Sequence, residues 1–248
     1  MNMYDALAPF YAALNGDVDY GAIAAFLKNA FDRYFDGKVE SVLDLGCGSG
    51  NVTFPLLSLG YDMIGVDISE EMLAEARVKD TEGRVLWLNQ DMRSFELYGT
   101  VEAVVCTLDG INHLTAKKDL ADCLALVHNY LVPGGLFIFD VNSEYKFQRV
   151  YGQNAYILEE DGVLCAWQND YSEKRKLCRF YISLFTEQED GRYERFDCIE
   201  SERMYTERTL SSLIKKAGFT LLSVRDGYTE NDSTEASERL VYVLRAEK

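Results

Sequence analysis

A chain of 248 residues with 48% hydrophobic and 27% charged residues has the make-up of a globular protein, long enough for one large α/β domain or a domain with a sizeable insertion. Its formal charge of −16 and isoelectric point near 4.6 argue against a general nucleic-acid binder, which needs a cationic surface to displace counterions, and against docking on anionic membranes. Six cysteines without a C-x-x-C pair, and only two histidines, His113 and His128, predict no structural zinc site. No leader and no apolar run approaching about 18 residues is seen, and free thiols then predict a reducing cytoplasm.

In chain order, the first forty residues read as helical, with Ile23, Phe26, Leu27, Ala30, Phe31 and Tyr34 recurring on one face. Short apolar strands then alternate with helices. A strand at 41–45 runs into Gly46-Cys47-Gly48-Ser49-Gly50, followed by a helix at about 53–59. A strand at 62–66 precedes a helix at about 70–78, and a strand at 85–89 comes next. Another at 101–107 precedes a helix at about 117–131, stopped by Val132-Pro133-Gly134-Gly135 before a strand at 136–141. Strands and helices in this alternation predict a doubly wound, mostly parallel sheet. The rhythm breaks after Asn142. Three strand-like runs at 156–170, 177–188 and 193–205 alternate polar with apolar residues, as an antiparallel sheet with one solvated face requires. A helix at about 206–217 and strands at 219–225 and 239–245 restore the first pattern. The polar stretch 229–237 between them is expected to be a mobile loop.

Ligands in open α/β sheets bind beyond the carboxyl ends of the strands, so the residues there carry the functional signal. The first strand carries Asp44 and ends in three glycines at alternate positions, spaced G-x-G-x-G and not in the dinucleotide fingerprint G-x-G-x-x-G. The second ends at Asp67-Ile68-Ser69, where a carboxylate can accept hydrogen bonds from vicinal ribose hydroxyls; Ser69 and Glu70 also favour a helix start there. The third ends at Asp91-Met92, an acid and a soft side chain suited to an adenine edge and face. The fourth ends at Cys106-Thr107-Leu108-Asp109, with His113 close behind.

These four strand ends, taken in order, resemble motifs I to IV of the class I S-adenosylmethionine-dependent methyltransferases over roughly residues 40–142. The plan is similar to a small bacterial subgroup with an antiparallel β insert after the fifth strand. The resemblance implies a Rossmann-like, seven-stranded, mostly parallel sheet. Residues 1–142 and 206–248 would form the cofactor-binding domain with an N-terminal helical cap, and 143–205 an inserted antiparallel β lid. It implies that Gly46, Cys47, Gly48 and Gly50 pass under the methionine and ribose of S-adenosylmethionine, that Asp44 orders the amino group or serves as a loop hydrogen bond, and that Asp67 binds the ribose. Asp91 and Met92 would bind the adenine, Ile68, Met72, Thr107 and Leu108 complete the site, and Tyr4-Asp5 with Val18-Asp19-Tyr20 cap it.

The expected activity is methyl transfer to an O or N nucleophile of a small molecule, leaving S-adenosylhomocysteine, with Asp109 and His113 as candidate proton acceptors and no metal. A non-catalytic cofactor-binding partner protein is the alternative from another class. A nicotinamide-dependent oxidoreductase is disfavoured by the glycine spacing and by the lack of a Tyr-x-x-x-Lys pair. His128 and Cys47 are expected to pack rather than react, and the aromatics of the insert (Tyr156, Trp167, Tyr171, Phe180, Tyr181, Phe185) to form mostly its own core.

Overall fold

The computed structural model describes residues 18–160, 162–188 and 190–248. Tyr4 and Asp5 of the capping motif lie outside the described residues.

Helix α1 (Tyr20–Tyr34) starts where the Asp19 carboxylate accepts the Ala22 N–H at 2.8 Å, and it buries the predicted stripe of Ile23, Phe26, Leu27, Ala30 and Phe31. Strands β1 (Ser41–Leu45), β2 (Asp62–Asp67), β3 (Leu86–Asn89), β4 (Val101–Cys106) and β5 (Leu131–Asn142) are parallel. They interleave with α2 (Thr53–Ser58), α3 (Glu70–Lys79) and α4 (Lys117–Tyr130). After the insert come α5 (Glu207–Lys216), capped by Thr206, then β10 (Phe219–Asp226) and β11 (Arg239–Ala246). The sheet order is β10-β11-β5-β4-β1-β2-β3, with β11 antiparallel to both of its neighbours. The order reverses between β1 and β4, the switch point where an open sheet leaves a crevice.

Alternate residues of each central strand feed two cores. Val104, Cys106, Phe137 and Phe139 pack on one face with Leu120, Cys123 and Leu124 of α4 and Leu210 and Ile214 of α5. Ala103, Val105, Leu136 and Ile138 pack on the other with α1 and with Leu56 and Leu57 of α2. Burial on both faces explains why these strands read as continuous apolar runs.

Two details differ from the sequence reading. The fifth strand begins at Leu131, five residues early, because Leu131 pairs with Val101 and a bulge absorbs the Pro133-Gly134-Gly135 segment; the expected sharp turn is a bulged strand. The insert holds four strands and not three. The first run folds back on itself as β6 (Ala155–Glu160) and β7 (Val163–Ser172), with Gly162 at φ 78° between them. Strands β8 (Leu177–Glu187) and β9 (Tyr193–Arg203) complete an antiparallel sheet. Phe147, Tyr151, Tyr171, Phe180, Ile182 and Leu184, with Trp167 against them, form the insert's own core, while Tyr181 stays 37% exposed. His128 packs edge-on against Phe219, as expected.

Candidate active site

A cavity of 330 Å³ opens at the carboxyl ends of β1 to β4. Its walls include Tyr20, Asp44, Gly46, Cys47, Gly48, Asp67, Ile68, Met72, Asp91, Met92, Thr107, Leu108 and His113. Four described residues predicted for the site are not among them: Gly50, Asp109, and Val18 and Asp19 of the capping segment. Gly50 faces away: at φ 82°, a Cβ there would stand 2.8 Å from Phe54 and 2.9 Å from Trp87, so this glycine shapes the turn and does not touch the cavity. Asp109 lies behind the wall.

The floor is the loop after β1. Gly46 and Cys47 donate their N–H groups to the Val66 carbonyl at 2.7 and 3.0 Å, curling the chain around the end of β2. Asp67 fixes the loop from that strand. Its Oδ2 accepts from Gly48 N–H at 2.7 Å and its Oδ1 from Ser69 N–H at 2.9 Å. Burial raises the Asp67 carboxyl, with those backbone donors opposing. The helix cap is a separate residue: Ser69 accepts the Met72 N–H at 3.2 Å. Asp44 is 1% exposed, and its Oδ2 accepts from the Thr53 hydroxyl at 2.6 Å. Its Oδ1 is buried without a partner. Burial, opposed by the Thr53 hydrogen bond and aided by the Asp67 charge, pushes this carboxyl up to about 7. Cys47 is buried and its thiol is pushed well up, which suits a packing group and not a nucleophile.

At the β3 end, Asp91 is held by Arg93, whose Nε stands 2.9 Å from each carboxylate oxygen, and this pairing keeps the carboxyl below its usual range. Tyr20 accepts from Asn51 Nδ2 at 3.3 Å across the mouth of the loop.

The β4 end departs most from the sequence reading. Leu108 and Asp109 both adopt left-handed backbone, at φ 57° and 60°, which costs of order 1–3 kcal/mol each without glycine. Distant groups hold the turn. The Leu108 N–H donates to Tyr228 Oη at 3.3 Å and the Asp109 N–H to Asp140 Oδ2 at 3.0 Å. Arg239 bridges Asp140 and Asp109, the latter at 2.7 Å, and Tyr228 donates to Asp140. Burial raises the Asp109 carboxyl, but the Arg239 and Lys146 charges, with the Arg239 hydrogen bond, outweigh it and hold it below its ordinary value. A carboxylate so paired is a poor proton acceptor, and Asp109 is corrected from a base to a group that fixes the turn.

Asp109, His113 and Glu202 bring ligand-type atoms within 4.8 Å of one another. Arg239 already takes the Asp109 oxygen and Asn142 Nδ2 donates to Glu202 at 2.9 Å, so the protein's own donors fill the role a cation would take. Burial and the Asp109 charge push the Glu202 carboxyl well up from its ordinary range, against the Asn142 hydrogen bond.

Sequence reasoning missed Asn51, Gln90, Arg93 and Glu200 in the cavity wall, and Tyr228, Asp140 and Arg239 behind it. Tyr228 immediately precedes the polar stretch 229–237 expected to be mobile, and that stretch is tied back by the Asn231 carbonyl accepting from Asp226 N–H at 3.0 Å. Asn51 and Gln90 stood beside residues already singled out. Nothing local marked Glu200 or Arg239.

A methyltransferase domain family matches residues 42–135. YqeM of Bacillus subtilis strain 168, named as a methyltransferase, is 30% identical over 209 residues, covering 84% of this chain and 84% of its own. The crystal structure of an S-adenosylmethionine-dependent methyltransferase from Clostridium acetobutylicum ATCC 824 has a TM-score of 0.89 at 30% identity and covers 100% of both chains, insert included. The dTDP-3-amino-3,6-dideoxy-alpha-D-glucopyranose N,N-dimethyltransferase of Streptomyces fradiae is 30% identical over 122 residues, 49% of this chain and 47% of that protein. The chain belongs to the S-adenosylmethionine-dependent methyltransferases. S-adenosylmethionine carries a sulfonium and an ammonium beside one carboxylate, and the buried, unpartnered Asp44 Oδ1 beside an acid-lined cavity fits its ammonium.

Proposed function

We propose that this enzyme methylates an O or N nucleophile of a small molecule, in the cytoplasm, without nucleic-acid or membrane partners. The observation that carries this reading is one continuous cavity joining Asp44, Asp67 and Met92 to His113 of the core and Glu200 of the insert. A donor held at one end thus has its acceptor roofed by residues 143–205, which act as a lid over the domain formed by 1–142 and 206–248.

In this reading Asp44 Oδ1 takes the donor's ammonium. Asp67 takes the ribose hydroxyls on the lone pairs that Gly48 and Ser69 leave. Ile68, Met72 and Met92 pack the adenine, and Asp91 accepts its amino group beside Arg93. Tyr20 closes the mouth; Gly46, Cys47 and Gly48 let the backbone pass close; Thr107 and Leu108 line the sulfur end. When bound, the sulfonium supplies an activated methyl carbon. The protein's task is then to hold the acceptor in line at about 3 Å, exclude water and, through His113, accept a proton.

Thermal shift with S-adenosylhomocysteine, run beside NAD, tests the reading. At 100 times its dissociation constant the ligand adds about 2.7 kcal/mol, a rise of roughly 5–11 °C for a chain of this size. A rise with NAD alone would sink it.

The Asp44 carboxyl near 7 gives a pH signature. In the ligand-free protein the unfolded chain releases this proton near pH ~4 and the native state only near about 7. The native state therefore holds more protons in that window, and Asp44 withdraws stability as pH rises through it. An ammonium partner favours the carboxylate, so ligand binding expels the proton. Affinity for S-adenosylhomocysteine is expected to fall about tenfold from pH ~8 to pH ~6 by calorimetry. Asp44→Asn should lower the affinity and flatten that dependence; a slope unchanged in the variant would remove Asp44 from the site.

A further inference from the structure

We infer that the methyl acceptor is a small amine, selected by the Glu200 carboxylate of β9 and relieved of a proton by His113. This inference rests on the proposed small-molecule methyl transfer and names its substrate class.

The charge inventory of the cavity points there. Among the described residues, four carboxylates line it (Asp44, Asp67, Asp91, Glu200) against one guanidinium, Arg93. Three of the four belong to the donor end. Asp67 is committed to the glycine loop, Asp91 is paired with Arg93, and Asp44 sits behind the loop with one oxygen on Thr53. Glu200 is left at the other end, its side chain 22% exposed, with its Oε2 4.0 Å from His113 Nδ1. An acceptor carrying a carboxylate or phosphate near its reacting atom would meet Glu200 with no cation but an Arg93 already engaged. A neutral hydroxyl would leave the Glu200 charge partly desolvated and unpaired. An ammonium pairs with it, and the acidic surface of the whole chain draws cations toward the cleft.

Glu200 is placed by built contacts. Glu200 and Glu202 share one face of β9, and the foot of that strand is pinned to the segment after β4. Asn112 Nδ2 donates to the Arg203 carbonyl at 2.8 Å, the Arg203 guanidinium donates to the Thr115 carbonyl, and the Tyr205 hydroxyl to the Leu114 carbonyl. The Asn142 N–H donates to Asn112 Oδ1 at 2.9 Å, and its side chain continues the chain to Glu202. The register of β9 over residues 112–116 is therefore set, and with it Glu200 beside His113.

The step balances. The bound ammonium gives one proton to the His113 imidazole and becomes a neutral amine. The nitrogen lone pair forms the new N–C bond as the C–S bond breaks onto sulfur, moving the positive charge from sulfur to nitrogen. The product leaves as an N-methylammonium, and His113 returns its proton to solvent.

The test uses the full chain with methyl-labelled S-adenosylmethionine and a small-molecule cell extract split by ion exchange into cationic, neutral and anionic pools. Label transfer from the cationic pool is expected. Glu200→Gln, which keeps size and polarity, should cut that transfer at least tenfold in dilute pools, recover when the pool is concentrated, and leave S-adenosylhomocysteine affinity within twofold. Transfer confined to the neutral or anionic pools overturns the inference, as does a Glu200→Gln enzyme equal to wild type. No transfer from any pool, with S-adenosylhomocysteine still bound, removes the acceptor site and this inference with it. Failure of the wild-type protein to bind S-adenosylhomocysteine defeats the proposed function instead.

Discussion

Asp67→Ala is expected to weaken S-adenosylhomocysteine binding by more than ~100-fold in calorimetry. Hydrogen bonds to a charged group are each worth about 1.5–3 kcal/mol when the partner is removed, and the carboxylate is positioned for two from the ribose. Its loss acts twice. The Gly48 and Ser69 N–H groups, at 2.7 and 2.9 Å, lose the acceptor that holds the glycine loop against the end of β2. Asp67→Asn separates the two effects, because an amide oxygen can still accept one of these bonds while the charge is gone. An intermediate loss is expected for Asn. Affinity unchanged in the alanine variant would place the ribose elsewhere.

The second large effect is on stability. Arg239→Met should cost about 3–5 kcal/mol, a fall in Tm of roughly 6–20 °C by calorimetry without ligand. The reason is the company Arg239 keeps: Asp140 is 0% exposed and Asp109 shares the same guanidinium, so removing it strands two carboxylates. Adding Asp109→Asn to Arg239→Met should recover part of the loss, since one of the stranded charges disappears. A double variant no better than the single one would show that packing, and not charge, was lost.

Much of the donor half of this site was legible because each of its parts is local. Asp44 sits inside an apolar strand, Asp67 and Met92 follow strand ends, and the glycines punctuate a strand–helix turn; each can be found by reading a dozen residues. The acceptor half is assembled from separations no window spans. Asn112 meets Arg203 only because the end of β9 packs on the segment after β4, and Leu108 meets Tyr228 and Asp109 meets Arg239 only through the return of β10 and β11 to the main sheet. Asp109 looked like a base because its sequence neighbourhood gives no hint of the guanidinium that neutralises it. Glu200 was one acid among several on an alternating strand, and only the register of β9 picks it out. The missed hairpin is different in kind: Asp161-Gly162, after Glu159-Glu160 and before the apolar Val163-Leu164, is a strong two-residue turn signal inside a stretch read as one run. The early start of β5 likewise came from pairing with Val101, which overrode the turn preference of Pro133-Gly134-Gly135.

The left-handed turn at Leu108 and Asp109 gives the molecule an order of construction. Neither residue prefers that backbone by itself, so the β4 end stays unformed until Tyr228 and Arg239 are in place to hold it. During synthesis, β1 to β4 and the glycine loop can assemble while the chain is still short. The wall beside the reacting end waits for the strand at Arg239–Ala246 to add to β5, some 130 residues after the turn it stabilises. A ribosome-bound chain ending before that strand would present the donor's cradle with one side missing. Competence to bind the cofactor should therefore emerge late and abruptly, with the docking of the last strand.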